Sequence, residues 1–160
     1  MKEVLQENKN EELLEEAEKE KRRNNFIIHG LAECGEDGKS DESIVEQFFN
    51  TIRITPRPAK FYRLGKADQN ENKSRPLKIE MTSSDDKDTV MNHLNHLKGD
   101  DDLGKISVKD DLTRNERDQV KRFINNAKEQ TQASEDFRFV VRGSPKNGLW
   151  LKKVPKRVPN

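Results

Sequence analysis

The chain has 160 residues, of which 31 are Lys or Arg, 30 are Asp or Glu and only 30% are hydrophobic, so it suits one domain with appendages and cannot fill a large core. No run of about eighteen apolar residues exists, and Met1, Lys2 and Glu3 do not begin a secretory leader, so neither a membrane partner nor export is expected. A lone Cys34 excludes an internal disulfide and a thiolate zinc site, and fits the reducing cytoplasm or nucleus.

Residues 1–23 are rich in Glu, Lys, Asn and Leu and lack Gly and Pro, which predicts a helix. One heptad register puts Asn10 and Ala17 at a and Leu13 at d, a thin seam. It reads either as the end of a coiled coil, giving a homo-oligomer through this helix, or as a single solvated helix. Asn25-Phe26-Ile27-Ile28-His29-Gly30-Leu31 is a strand stopped by the glycine loop around Gly35 and Gly38. Ser40 then caps a helix with Ile44, Val45, Phe48, Phe49 and Ile52 on one face, ended by Pro56 and Pro58. Lys60–Lys66 is a second strand, and the polar stretch from Asp68 to Ser74 connects it to a third. There Leu77, Ile79 and Met81 alternate with Lys78 and Glu80, one face buried and one wet. Ser84 is expected to cap a further helix with the stripe Val90, Met91, Leu94 and Leu97, closed by Gly99; Ile106 and Val108 open a fourth strand.

This β-α-β-β-α-β order over residues 24–112 predicts an α+β fold: the split β-α-β, ferredoxin-like or RRM-like plait, with both helices on one side of an antiparallel sheet. Thr113-Arg114-Asn115-Glu116 has capping-box spacing and opens a helix with Val120, Phe123, Ile124 and Ala127 on one stripe. Phe137–Arg142, a turn from Gly143 to Gly148 and Leu149–Lys153 complete a small helix-plus-hairpin domain over 113–154, and 155–160 is a tail.

Net charge is segregated: −5 over residues 24–50, +5 over 51–82, −4 over 83–112 and +5 over 135–160. Segregation of this kind points to a surface facing a polyanion, with solvated charge runs as the plain alternative. Catalytic patterns are sparse, with no phosphate loop, no H-E-x-x-H and no G-x-S-x-G, so no enzyme and no cofactor are expected. His93 and His96 lack a further ligand at metal spacing, and Cys34 lacks a base.

Binding is the better-supported chemistry. Alternation sends Phe26 and Ile28 inward and leaves Ile27, His29, Pro76 and Lys78 on the uncovered sheet face, where stacking aromatics would sit in an RNA-binding plait; that platform is missing. Affinity would then come from Arg63, Lys66, Lys73, Arg75 and Lys78 in the plait and Arg138, Arg142, Lys146, Lys152 and Lys153 in the hairpin, converging on one electropositive track. Trp150 either stacks on bases, opposite Leu149 and Leu151, or is core with the leucines exposed.

The motifs R-R-N-N-F-I-I-H-G-L-A-E (Arg22–Glu33), F-Y-R-L-G-K (Phe61–Lys66), K-S-R-P-L-K-I-E (Lys73–Glu80), D-L-T-R-N-E-R (Asp111–Arg117) and V-R-G-S-P (Val141–Pro145) occur in order along the chain. Together they resemble the first-open-reading-frame protein of LINE-type non-LTR retrotransposons. The resemblance implies a coiled coil, an atypical RNA-recognition motif and a small C-terminal domain. It also implies a nucleic-acid chaperone that coats single-stranded RNA, and single-stranded DNA, in a cytoplasmic or nuclear ribonucleoprotein particle. It assigns RNA contact to Arg63, Lys78, Arg117 and Arg142. The competing expectation is a protein-interaction module on a degenerate RRM-like fold, without nucleic-acid binding.

Overall fold

The computed structural model describes residues 2–33, 40–66 and 73–157, and the chain divides into two units between Asp111 and Leu112. In the first unit the apolar spacing read from the sequence becomes α1 (Lys2–Arg22), β1 (Asn25–His29), α2 (Asp41–Ile52), β2 (Lys60–Arg63), β3 (Leu77–Glu80), α3 (Ser84–Asn92) and β4 (Ser107–Asp110). Cys34 and the glycine loop, and most of the connection from Asp68 to Ser74, lie outside the described residues.

The four strands form an antiparallel sheet in the order β2-β3-β1-β4, the strand order of the plait. Alternation decides which face is dry. Phe26 and Ile28 of β1 and Leu77 and Ile79 of β3 are fully buried against Phe48, Phe49 and Ile52 of α2 and Val90 of α3. Phe48 sits edge-on to Phe49 with centroids 5.4 Å apart and lies 6.2 Å from Phe26. Each such ring contributes about 1.5–3 kcal/mol by burial, so this cluster is the main stabilising element of the unit.

Helix boundaries follow local chemistry and in places differ from expectation. Ser40 caps α2 by accepting from the Ser43 amide, and the helix ends at Arg53, in left-handed conformation, ahead of Pro56. The cap of α3 is Ser83, whose hydroxyl accepts from the Asp86 amide; Ser84 is already inside the helix. Two adjacent serines offer the same cap chemistry, and the one three residues before a free amide wins. After Asn92 the stripe continues as a 3-10 turn, Leu94–Leu97, rather than as α-helix, with Leu97 buried. The second strand is shorter than the seven residues expected, although Leu64 still donates to the Pro76 carbonyl at 2.8 Å.

The second unit has α4 (Arg114–Ala133), β5 (Phe137–Ser144) and β6 (Gly148–Pro155). Both halves of the Thr113–Glu116 capping box form. The Thr131 hydroxyl donates to the Ala127 carbonyl at 2.7 Å and accepts from the Phe139 amide at 2.8 Å, tying helix to hairpin. Ala127 is the only deeply buried apolar residue of this unit among the described residues, so packing alone holds it weakly. Among the described residues no helix is long and apolar enough to cross a membrane.

Candidate nucleic-acid interface

Two surfaces have the required chemistry, one in each unit. On the first, the side of the sheet away from α2 and α3, backbone pairing aligns Tyr62, Lys78, Ile27 and Lys109 in a single row across β2, β3, β1 and β4. Tyr62 is 36% exposed, with the Lys60 ammonium 5.1 Å and the Lys78 ammonium 5.9 Å from its ring centroid. The face is therefore not bare of aromatics: the ring is on β2 rather than at the Ile27 and Lys78 positions. Sequence reasoning passed over Tyr62, Lys60 and Lys109, although inward Phe61 makes its neighbour Tyr62 outward by alternation. His29 shares this face; burial, then the nearby Lys109 charge, holds its pKa below the ordinary histidine value.

The cations first expected to bind here have other employment. The Arg63 side chain is 5% exposed. Its Nε and Nη2 donate to the Asp41 carboxylate, Nη1 to the carbonyls of Leu31 and Arg75, each at 2.8 Å, and Nη2 also to that of Ala32 at 3.0 Å. All five N–H donors are engaged, which makes Arg63 a clamp between β2, the end of β3's approach and the chain after β1. Arg75 donates to Glu33 at 2.7 Å and to the Gly65 carbonyl at 3.2 Å. That hydrogen bond keeps the Glu33 carboxyl below its usual range.

Lys78 reaches Asp111 at 3.1 Å, and Asp111 is nearly sealed, its side chain 2% exposed. The same carboxylate accepts from Arg22 of α1 at 2.9 Å and from the Asn25 amide at 3.2 Å, so the end of α1, β1, β3 and the end of β4 meet on one anion. Burial opposes the Lys78 charge, but the bond and ion pair to Asp111 outweigh it and raise its pKa. Arg63, Arg75 and Lys78 are thus internally neutralised, while Lys66 and Lys73 are exposed.

The second surface is the hairpin. Cross-strand pairing opposes Arg142 to Trp150, Val140 to Lys152 and Arg138 to Val154, and paired residues share a face. The other face carries Val141, Leu151, Phe139 and Lys153, with Phe139 and Val141 lining, together with Ile124, Ala127 and Thr131 of α4, an open groove of about 500 Å³. Trp150 is 54% exposed and its flanking leucines are half-buried, which decides between the two orientations open from sequence. Gly143 has φ +83°, and a Cβ there would strike the Gly148 carbonyl and sit 3.3 Å from the Trp150 indole; only glycine allows this close turn beside the ring.

Arg138, Arg142, Lys146 and Lys152 are exposed and form no ion pair among the described residues. Lys153 turns the opposite way, its ammonium 4.1 Å from the Phe137 centroid. Arg117, in the first turn of α4, is exposed and donates to the Leu112 carbonyl at 3.1 Å.

Among the described residues no cluster of three His, Cys, Asp or Glu side chains is arranged to hold a metal. The His93 ring is bonded at Nδ1 to the Thr89 carbonyl at 2.7 Å. No protein-family model matches the chain, and no curated protein matches it.

Proposed function

We propose that this chain binds single-stranded RNA, and single-stranded DNA, with little sequence preference, as the nucleic-acid chaperone of a LINE-type retrotransposon ribonucleoprotein. The observation that carries the reading is the outward hairpin face. There an exposed Trp150 stands across from Arg142, with Lys152 next along the same face and Arg138 beyond it, none of them paired with an acid among the described residues. Cations free of internal partners release counterions when they meet phosphates, and an exposed indole offers a stacking surface to any base. Neither interaction reads a base edge, so the binding tolerates sequence. Lys146 in the turn extends the positive edge. On this reading the protein performs no catalysis, needs no cofactor, and works in cytoplasmic or nuclear particles.

A filter-binding titration of the full chain against a single-stranded RNA at several salt concentrations tests it. Trp150→Ala is expected to weaken binding by the loss of one stack, about 1–3 kcal/mol. Arg142→Glu should weaken binding to all sequences alike and lower the log-log salt slope by about 0.7 or more. Unchanged affinity in both variants would refute the reading.

A second reading, a protein-interaction module, has one specific support. Val4, Leu5, Leu13 and Leu14 of α1 are each at least 60% exposed, although at 3.6 residues per turn they are spread around the helix and form no single apolar stripe. Self-association through α1 is compatible with RNA binding, and the mass of the free protein in solution reports it.

A further inference from the structure

We propose that the open sheet face of the first unit is a second contact for single-stranded RNA, in which a base stacks on Tyr62 at the edge strand while Lys60 and Lys109 hold the flanking phosphates. The inference deepens the nucleic-acid reading and concerns a surface that the hairpin does not supply.

Its basis is the register row. Tyr62, Lys78, Ile27 and Lys109 stand side by side across all four strands, a width of about 14 Å at the usual strand spacing. Plaits of this kind lay two or three bases across that width, on aromatics of the two central strands. Here the central positions hold Lys78 and Ile27, and the aromatic has moved one strand outward to β2. The inward neighbour Phe61 packs against the core, and the ring of Tyr62 stands on the opposite face, outside that cluster.

Charge fits the same occupant. Lys60 and Lys109 are exposed and form no ion pair among the described residues. The acids on this side are Glu80, opposite Lys60 in the register, and Asp111, which is already bound by Arg22, Asn25 and Lys78. The Lys60 ammonium is held at the Tyr62 ring only by weak cation–π attraction, so it can turn to phosphate as a base takes the ring face, while Lys78 stays on Asp111. Ile27, half-buried between Lys78 and Lys109, offers an apolar floor for a neighbouring base or ribose.

The test is photocrosslinking of the full chain to a 4-thiouridine-substituted, uridine-rich RNA of about 20 nucleotides, long enough for two contact sites. Adducts are mapped by mass spectrometry, with filter binding of Tyr62→Ala, Tyr62→Phe and Trp150→Ala alongside. The expected result is an adduct on Tyr62, a loss of about fivefold or more in Tyr62→Ala, and affinity within about twofold of the parent in Tyr62→Phe, which keeps the stacking face. Adducts confined to residues 137–155, with Tyr62→Ala binding like the parent, would overturn this inference and leave the hairpin reading standing. A Tyr62 adduct with unaffected Trp150→Ala would support the sheet contact and remove the Trp150 stack from the hairpin site. Parent protein that captures no RNA would overturn both and leave the face to a protein partner. Adduct mapping on the parent chain does not depend on the variants folding.

Discussion

Arg63 and Arg142 look alike in the sequence, each a basic residue in a short motif, and replacing each with Met separates their roles. The Arg63→Met change removes the counter-ion of Asp41 and leaves the carbonyls of Leu31, Ala32 and Arg75 without their donors. Breaking a buried ion pair costs about 3–5 kcal/mol, and because the Asp41 side chain is 32% exposed the expectation here is about 2–4 kcal/mol. Against a total of about 5–15 kcal/mol for a domain, that is a large fraction. Arg63→Lys keeps a charge near Asp41 but cannot reproduce the planar fork, and should fall between the two. Arg142→Met touches an exposed side chain whose one hydrogen bond among the described residues is to the Val141 carbonyl, so stability should move by no more than about 0.5 kcal/mol. Its effect should be a salt slope reduced by about 0.7. Urea unfolding followed by circular dichroism, beside RNA titration below the transition, measures both. Arg63→Met that keeps the parental unfolding midpoint and loses binding as Arg142→Met does would refute this division.

Asp111→Asn should cost about 2–3 kcal/mol in the same unfolding assay, since Lys78 and Arg22 lose a shared anion; adding Lys78→Met should recover part of it, and strict additivity of the two changes would argue against the pair. Gly143→Ala should disorder the hairpin tip, shifting Trp150 fluorescence and amide exchange in 140–152 while the first unit keeps its own exchange pattern. Acid should destabilise the first unit in two steps. The lowered pKa of His29 contributes stability that is present above about 6.5 and lost as pH falls through the folded value, and the lowered Glu33 does the same from about 4.3 downward. His29→Gln should remove the first step and Arg75→Met the second in pH-dependent melts.

Periodicity carried most of the fold. The alternation of Leu77, Lys78 and Ile79, the spacing of Phe48, Phe49 and Ile52, and the Thr113–Glu116 box each encode a local preference that the tertiary structure reinforces. Trp150 likewise faces away from Leu149 and Leu151, as strand alternation requires. Pairing between distant charges was not legible, because a run of like charge does not say what it meets after folding. Arg63 and Asp41 are 22 positions apart, Arg75 and Glu33 42, and Lys78 and Asp111 lie on different strand ends. Tyr62 is legible by the same alternation, since inward Phe61 sends its neighbour to the open face, but it stands on the edge strand β2 and not on the two central strands that carry stacking aromatics in such plaits.

The alternating charge blocks acquire a different meaning once these pairs are known. Glu33 and Asp41 from the acidic stretch 24–50 neutralise Arg75 and Arg63 from the basic stretch 51–82, and Asp111 from the next acidic stretch neutralises Lys78. Much of the segregation in the first unit is therefore the two halves of internal ion pairs, drawn together by the sheet. The block 135–160 differs: its net charge is +5, and Arg138, Arg142, Lys146 and Lys152 remain exposed and unpaired among the described residues. Salt sensitivity should accordingly follow the hairpin cations, with Lys60 and Lys109 of the sheet as the smaller contribution. Removing Arg63, Arg75 or Lys78 should change how well the first unit folds and leave the slope of the folded protein nearly unaltered. A phosphate reaching Lys78 would have to displace a sealed carboxylate that Arg22 and Asn25 also hold, and that competition sets the boundary between the cations that build this protein and those it offers to a polyanion.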